Sequence, residues 1–335
     1  MSEAVVTQDR GAAGPGIPVM GALALVAALA FLASLLVGPS GFGIPQGSDA
    51  ARMILVEIRL PRAILGALIG AALGLSGAVL QGYLRNPLAE PGLLGITGGA
   101  SLGAVIAIHS GAAATFALAL PMGGLAGAAL AATAVMLLAG ERSGPLTLIL
   151  AGVAISSLAG ALTTLALNLS PNPFASVEML FWLLGSLTDR SLTHVWLAAP
   201  LIIVGAGLLM TTGRALDALT LGEEAAQNLG VDLKALRTRI VAGTALAVGA
   251  ATAVSGTIGF VGLVVPHLLR PLVGHEPRRL LPASALGGAA LVLAADVALR
   301  LFAPMSEVRL GVVTALIGAP FFLWLVVKTR RELGP

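Results

Sequence analysis

The chain has 335 residues, of which 57% are hydrophobic and 10% charged, with 43 glycines, no cysteine and a formal net charge of +3. Its mean hydropathy of +0.97 is far above what a globular domain of this size needs, which identifies an integral membrane protein. The small, scattered positive surplus excludes nucleic acid as a partner, and the missing cysteines exclude disulfides, a thiol nucleophile and a thiolate metal site.

Apolar runs of about twenty residues recur without an alternating ten-residue pattern, so the expected fold is all-α and polytopic rather than a barrel. Residues 1–16 carry Glu3, Asp9 and Arg10 and lack a basic start and a cleavage site, which predicts a retained cytoplasmic tail ahead of a single permease domain, residues 17–335. Span 1 is expected over 17–37. A polar loop with Asp49, Arg52 and Glu57 precedes span 2, Leu60 to Leu84, where Pro61 suits the first turn and Gly66, Gly70 and Gly74 clear one face for helix contact. The 47 apolar residues from Leu93 to Ala139 divide into spans 3 and 4 near His109-Ser110-Gly111. Glu141 to Pro145 ends span 4, and span 5 runs from Leu146 to Leu169. Ser170 to Arg190 holds two prolines and a run too short to cross, which predicts an interfacial half-helix with Trp182 at headgroup depth. Span 6 covers 195–212, and spans 7 to 10 cover 240–254, 258–272, 282–302 and 310–327.

Between the two apolar halves lies a polar island, Arg214 to Arg239, with eight charged side chains that cannot enter lipid. Glu223 and Glu224 fall in the first turn of a short helix, where carboxylates suit the positive end of its dipole, and Gly230 closes it. Asp232 then caps a second short helix through Lys234, Arg237 and Arg239, with those cations toward its far end. Ala225, Ala226 and Leu229 give the first helix an apolar face, as a dock for a soluble partner would need.

Ten spans put both termini on one side, and thirteen of the lysines and arginines fall there against six opposite, so the island and the termini are expected in the cytoplasm. LIGAALGLSG, Leu68 to Gly77, aligns with AVGAATAVSG, Ala247 to Gly256, at five identical positions. The copies lie five spans apart, which predicts an inverted repeat of spans 2–5 and 7–10.

Gly74-Leu75-Ser76-Gly77 is a GxSG string of the kind an intramembrane serine protease carries, yet a serine among glycines in such a helix is a packing residue. Neither lysine lies in a phosphate loop, so the chain is not its own motor. An ion-coupled secondary transporter or channel would keep ionisable residues within spans; here only Asp296 and Glu57 come near, which favours an external motor.

IRLPRAILGALIGAALGLSGAVLQGYLRNPLAEPGLLGITGGASLGA (Ile58 to Ala104), LILAGVA (Leu148 to Ala154), LGEEAAQNLGV (Leu221 to Val231), GFVGLVVPHLLR (Gly259 to Arg270) and GVVTALIGAPFFLWL (Gly311 to Leu325) resemble, in order, the FecCD-like permeases of type II ATP-binding-cassette importers, which carry ferric siderophores, haem and cobalamin. The resemblance implies ten helices per subunit and a second permease subunit, in a homodimer or a heterodimer, of which the homodimer is the favoured expectation. It also implies two ATPase subunits below, which bind ATP-Mg, and a periplasmic binding protein above; this chain has no cofactor of its own and is no enzyme. By the same likeness Gly222, Glu223, Ala226, Leu229 and Gly230 couple to the ATPase, Asn86 and Leu88 line the cytoplasmic gate, and Arg59, Arg62 and Arg300 dock the binding protein. Pro145-Leu146 departs from the small hydroxyl pair of cobalamin members, which leaves the cargo open and implies a differently built second constriction.

Overall fold

The computed structural model describes residues 16–38, 41–43, 48–140, 144–302 and 308–333. The expected tail lies outside them apart from Gly16, as do Glu141, Arg142 and Ser143. α1 (Gly16–Leu36) leads into a two-residue pair, β1 (Val37–Gly38) against β2 (Gly41–Phe42). The expected polar loop around Asp49 and Glu57 is instead helical: α2 (Ser48–Met53) continues through a π-helical turn (Ile54–Arg59) into α3 (Leu60–Tyr83). The Ala, Met, Ile and Leu between its few charges are good helix formers, so propensity outweighs polarity.

A turn at Pro91–Leu94 leads to α4 (Ile96–His109), followed by α5 (Ala112–Thr115), α6 (Ala119–Ala139), α7 (Pro145–Asn168), α8 (Pro173–Leu183) and α9 (Leu192–Met210). The long apolar run thus divides at His109, with Gly111 at φ 74° making the turn. α8 is the expected short helix, and Trp182 packs on the Val105, Ile108 and Met179 cluster that joins it to α4. α10 (Gly213–Leu219) and α11 (Glu223–Asn228) make the island, and α12 (Leu233–Ser255), α13 (Val261–Leu269), α14 (Pro277–Phe302) and α15 (Leu310–Leu333) complete the chain. Among the described residues, eight helical stretches are long and apolar enough to cross a membrane; α4, α8 and Val261–Val273 are shorter.

The centre is an antiparallel pair, α3 against α14, held at backbone contact. A Cβ on Gly70 would strike the Gly288 carbonyl, and one on Gly74 the Ser284 carbonyl. Lipid provides no hydrophobic drive between helices, so close packing of this kind has to supply the adhesion. α4 and α6 meet in the same way through Gly99, Gly103, Gly123 and Gly127. α3 packs on α13 and α14, and α12 packs on α4 and α6. α7 and α15 are, after α1, the least buried of the long helices.

Two connections turn back into the bundle. Leu93, in the segment after α3, lies against Gly152, seven residues and so about 10 Å up α7. Residues 256–260 run without regular structure from Trp182 and Gly185 to the start of α13, where Gly262 meets Gly77 of α3. Irregular backbone at such depth persists only where protein surrounds it. Here Ser186 N–H donates to the Ser255 carbonyl (2.7 Å), Ser255 Oγ donates to the Gly256 carbonyl (3.1 Å), Ser101 and Thr257 share a hydroxyl bond, and Gln81 Nε2 donates to the Gly262 carbonyl (3.2 Å).

At the end of α3 farthest from the island, Asp296 is 1% exposed and sits between two arginines. Arg62 Nε and Nη2 reach it at 3.0 and 2.7 Å, and Arg300 Nη2 at 2.9 Å. Arg300 also donates to the Ser34 and Val37 carbonyls, and Arg59 Nη1 to those of Leu35, Leu36 and Gly43. These cations complete the carbonyl end of α1, where the helix dipole favours them. The cluster adds a polar fastening to the packing of α1 along α14.

Two outcomes follow from this packing. Asp296→Ala leaves two buried guanidiniums without their carboxylate and should lower stability by about 3–5 kcal/mol, seen as earlier thermal unfolding in detergent. Gly74→Val should cost at least about 1–3 kcal/mol by overpacking against α14, whereas Gly207→Ala, which faces open space, should unfold like the parent in the same assay.

Candidate functional site

The island is built from the ends of three spans. α9 stops at Met210, and α10 turns away from it; Asp217 Oδ1 accepts from Arg278 N–H (3.0 Å) and so caps the first turn of α14. Arg85, just past α3, pairs with Glu223 at 3.2 Å. That pair is exposed, so its stabilisation is at most about 1 kcal/mol, and its use is positional. Asp232 Oδ1 accepts from Ala235 N–H (3.0 Å) and starts α12.

α11 carries Glu223 and Glu224 in its first turn, as expected. Gly222 precedes it at φ 105° and Gly230 follows at φ 85°, both conformations that a side chain would strain. Ala226 is wholly buried and holds α11 to the bundle, while Leu221 and Leu229 are 69% and 65% exposed. The helix stands between two clefts of about 480 Å³ each. One is lined by Tyr83, Pro145, Glu223 and Arg237, the other by Arg214, Ala218, Leu229 and Arg239.

One expectation for the island is corrected. Lys234, Arg237 and Arg239 do not end a second short helix; they lie in the first two turns of α12, which continues unbroken to Ser255. The cations therefore sit near the positive end of a helix. Arg237 is 3% exposed, so its whole side chain, and not its stem alone, is buried.

α3 ends at Tyr83, three residues before Asn86, and Arg85 takes φ 47°. Asn86 Oδ1 accepts from Leu88 N–H at 2.9 Å, so this side chain shapes its own turn ahead of the re-entering segment. Asn86 and Leu88 are both half-buried, at the same end of α3 as the island. Arg59, Arg62 and Arg300 are the cations of the Asp296 cluster: Arg59 and Arg300 are buried and Arg62 is 15% exposed, so they do not stand free for a partner. The island and this cluster lie at opposite ends of α3 and α14, about 36 Å apart along α3.

The buried acid within a span, Asp296, is compensated by arginines and is no open ion site. Ser76 is wholly buried, and its hydroxyl has no hydrogen-bond partner, so the GxSG string is helix packing and not a nucleophile with its base. The reading by spans overlooked one feature. Ser157, Gly160, Thr164 and Asn168 form an exposed stripe along α7 at helical spacing. Thr164 Oγ1 donates to the Gly160 carbonyl (3.0 Å) and Asn168 Nδ2 to the Thr164 carbonyl (2.9 Å), and the Ser157/Thr164/Asn168 spacing was there to be read.

A family model for the FecCD transport family matches residues 23–328. The chain is 41% identical over 290 residues to the cobalamin import system permease protein of Halobacterium salinarum, covering 86% of this chain and 76% of that one. It is 40% identical over 289 residues to the hemin transport system permease protein of Yersinia pestis, covering 85% and 86%. A solved chain assigned to the metal-chelate type of ABC transporter, in an inward-facing conformation, superposes with a TM-score of 0.84 at 33% identity, covering 93% and 99%. With eight apolar helices of spanning length, the match along nearly its whole length and the same shape as a solved transporter chain, the protein belongs to the FecCD family of ABC importer permeases.

Proposed function

We propose that this chain is the membrane-spanning subunit of an ATP-driven importer in a bacterial inner membrane, moving a metal chelate of the haem, ferric siderophore or cobalamin class toward the cytoplasm. The observation that carries the reading is α11, a short helix between two positive-φ glycines with exposed Leu221 and Leu229 at its ends, seated on α10, which packs on α3 and α14, and standing between two clefts. A soluble ATPase seated there pushes through α10 on those two spans, with Gly222, Glu223, Ala226, Leu229 and Gly230 as the coupling surface. ATP-Mg is bound and hydrolysed in two such partners, not in this chain.

A second copy covers the exposed faces of α7 and α15, and the stripe on α7 then lines the path between the copies. Ten crossings, with α4 and the 256–273 stretch as the short ones, place both termini in the cytoplasm. The reciprocal packing, α3 on α13 and α14, α12 on α4 and α6, is what an inverted repeat produces. Asn86 and Leu88 close the path at the cytoplasmic side. The binding protein sits over Arg59, Arg62 and Arg300, drawn by the field of three cations around one carboxylate rather than by free side chains.

Two experiments test the two ends of the mechanism. Glu223→Lys, Glu224→Lys and Leu229→Ala together should reduce co-purification of the ATPase subunit at least about tenfold, since they remove the charge and the apolar anchor of α11; undiminished assembly with undiminished transport-coupled hydrolysis refutes the coupling role. Leu88→Cys in this cysteine-free chain should cross-link between the two copies in the closed state and lose the cross-link when the gate opens. No cross-link under any nucleotide condition removes Leu88 from the axis.

A further inference from the structure

α9 and α12 meet where a Cβ on Gly205 would strike the Gly243 carbonyl and one on Gly243 the Leu209 side chain. Past that contact the two helices part. Thr211, Arg214 on α10, and Leu236 and Arg239 on α12 line the cleft of about 480 Å³ that opens between them. Both arginine side chains are exposed, and among the described residues neither guanidinium makes a hydrogen bond or an ion pair. The other charged group on the cleft wall is Asp232, whose Oδ1 is already taken by the Ala235 N–H. The cleft thus holds an excess of positive charge with open donors.

Its depth follows from the sequence on either side. Residues 195–213, which lead to Arg214, and residues 240–255, which follow Arg239, contain no charged side chain, and both belong to helices of spanning length. The two guanidiniums therefore stand where the apolar stretches stop, at headgroup level. An apolar surface runs up to them from the bilayer side. Ile203, Val204 and Met210 of α9 are exposed, and Gly207 among them faces open space. At spacings of three and four residues they form one face, which ends at Thr211 in the cleft.

A soluble anion would use the arginines and leave the α9 face bare. A phospholipid uses both, because its phosphate accepts from the guanidinium forks while an acyl chain lies along the helix. A zwitterionic headgroup brings an ammonium toward the same two cations, so a net negative headgroup is favoured. We propose that the cleft lined by Arg214 and Arg239 is a binding site for an anionic phospholipid of the leaflet on the island's side, with the phosphate on the two guanidiniums and an acyl chain along α9. The site requires that the chain spans a membrane and is independent of cargo and of the ATPase.

Native mass spectrometry of the full chain in detergent, titrated with dioleoyl phosphatidylglycerol or dioleoyl phosphatidylcholine, reads the headgroup preference at equal acyl chains. The parent should bind its first phosphatidylglycerol at least about fivefold tighter than phosphatidylcholine, within what two arginines at headgroup level supply. Arg214→Gln with Arg239→Gln should abolish that preference and leave phosphatidylcholine binding unchanged; either substitution alone should reduce it, and replaces the double variant if that does not fold. Arg279→Gln, an exposed arginine at the same end of the bundle but outside the cleft, should keep the full preference. Glycerol 3-phosphate in molar excess should not displace the lipid. Equal binding of the two lipids by the parent, a preference that survives the double substitution, or an equal loss in Arg279→Gln overturns the site. Displacement by glycerol 3-phosphate overturns it in favour of a soluble anion. A double variant that loses ATPase co-purification with its lipid preference intact overturns it in favour of a protein contact.

Discussion

Backbone contact between α3 and α14 is the constraint on which the rest depends. Within lipid, apolar side chains gain nothing by leaving one apolar medium for another, so adhesion must come from close approach. Gly70, Gly74 and Gly288 let two helices touch along their axes, and that contact creates a wall dense enough to enclose irregular backbone. The irregular stretch 256–260, with Gly256 and Phe260 at positive φ, runs beside this wall and leads into α13, which is only nine residues long. Side chains on the wall then do the local work: Gln81 on α3 binds the Gly262 and Leu263 carbonyls and accepts from Arg270 at 2.7 Å.

How much was legible in the sequence differed by element. α1, α3, α6, α7, α9 and α14 declare themselves as apolar runs because lipid imposes one length on all of them. Charge misled where it was read as the boundary of a span. Glu57 and Arg59 lie in a helical turn, and Lys234 to Arg239 lie inside α12, because a helix can carry charges at the ends of a span while its interior stays apolar. The short helix α11 was legible, since first-turn acids and positive-φ glycines are local properties. The fate of Arg59, Arg62 and Arg300 was not. Their partners, Ser34, Leu35 and Asp296, come from α1 and α14, and such long-range pairing leaves no pattern in a single chain.

The same two helices carry different chemistry at their two ends. At one end, Asp296 and three arginines are closed on themselves and fasten α1. At the other, Arg85 and Arg278 reach the island through Glu223 and Asp217, contacts that are exposed and individually weak. The exposed contacts thus join the island to the inner ends of α3 and α14, while the buried cluster joins the outer ends of the same helices to α1.

Where the bundle yields follows from the distribution of contact. Sliding α3 along α14 would drive Gly288 over a turn of helix that has no room for it, since even a methyl group on Gly70 collides. α15, among the least buried of the long helices, approaches the bundle closely at Gly311 and Gly318. α7 packs along α4 and against α6 and the turn at Pro91–Leu94, with Gly152 on the Leu93 carbonyl and Ser156 Oγ donating to the Gly92 carbonyl. α7 therefore belongs mechanically with α4 and the segment that Asn86 and Leu88 begin, because a packed face of that length shifts as a unit rather than at one contact.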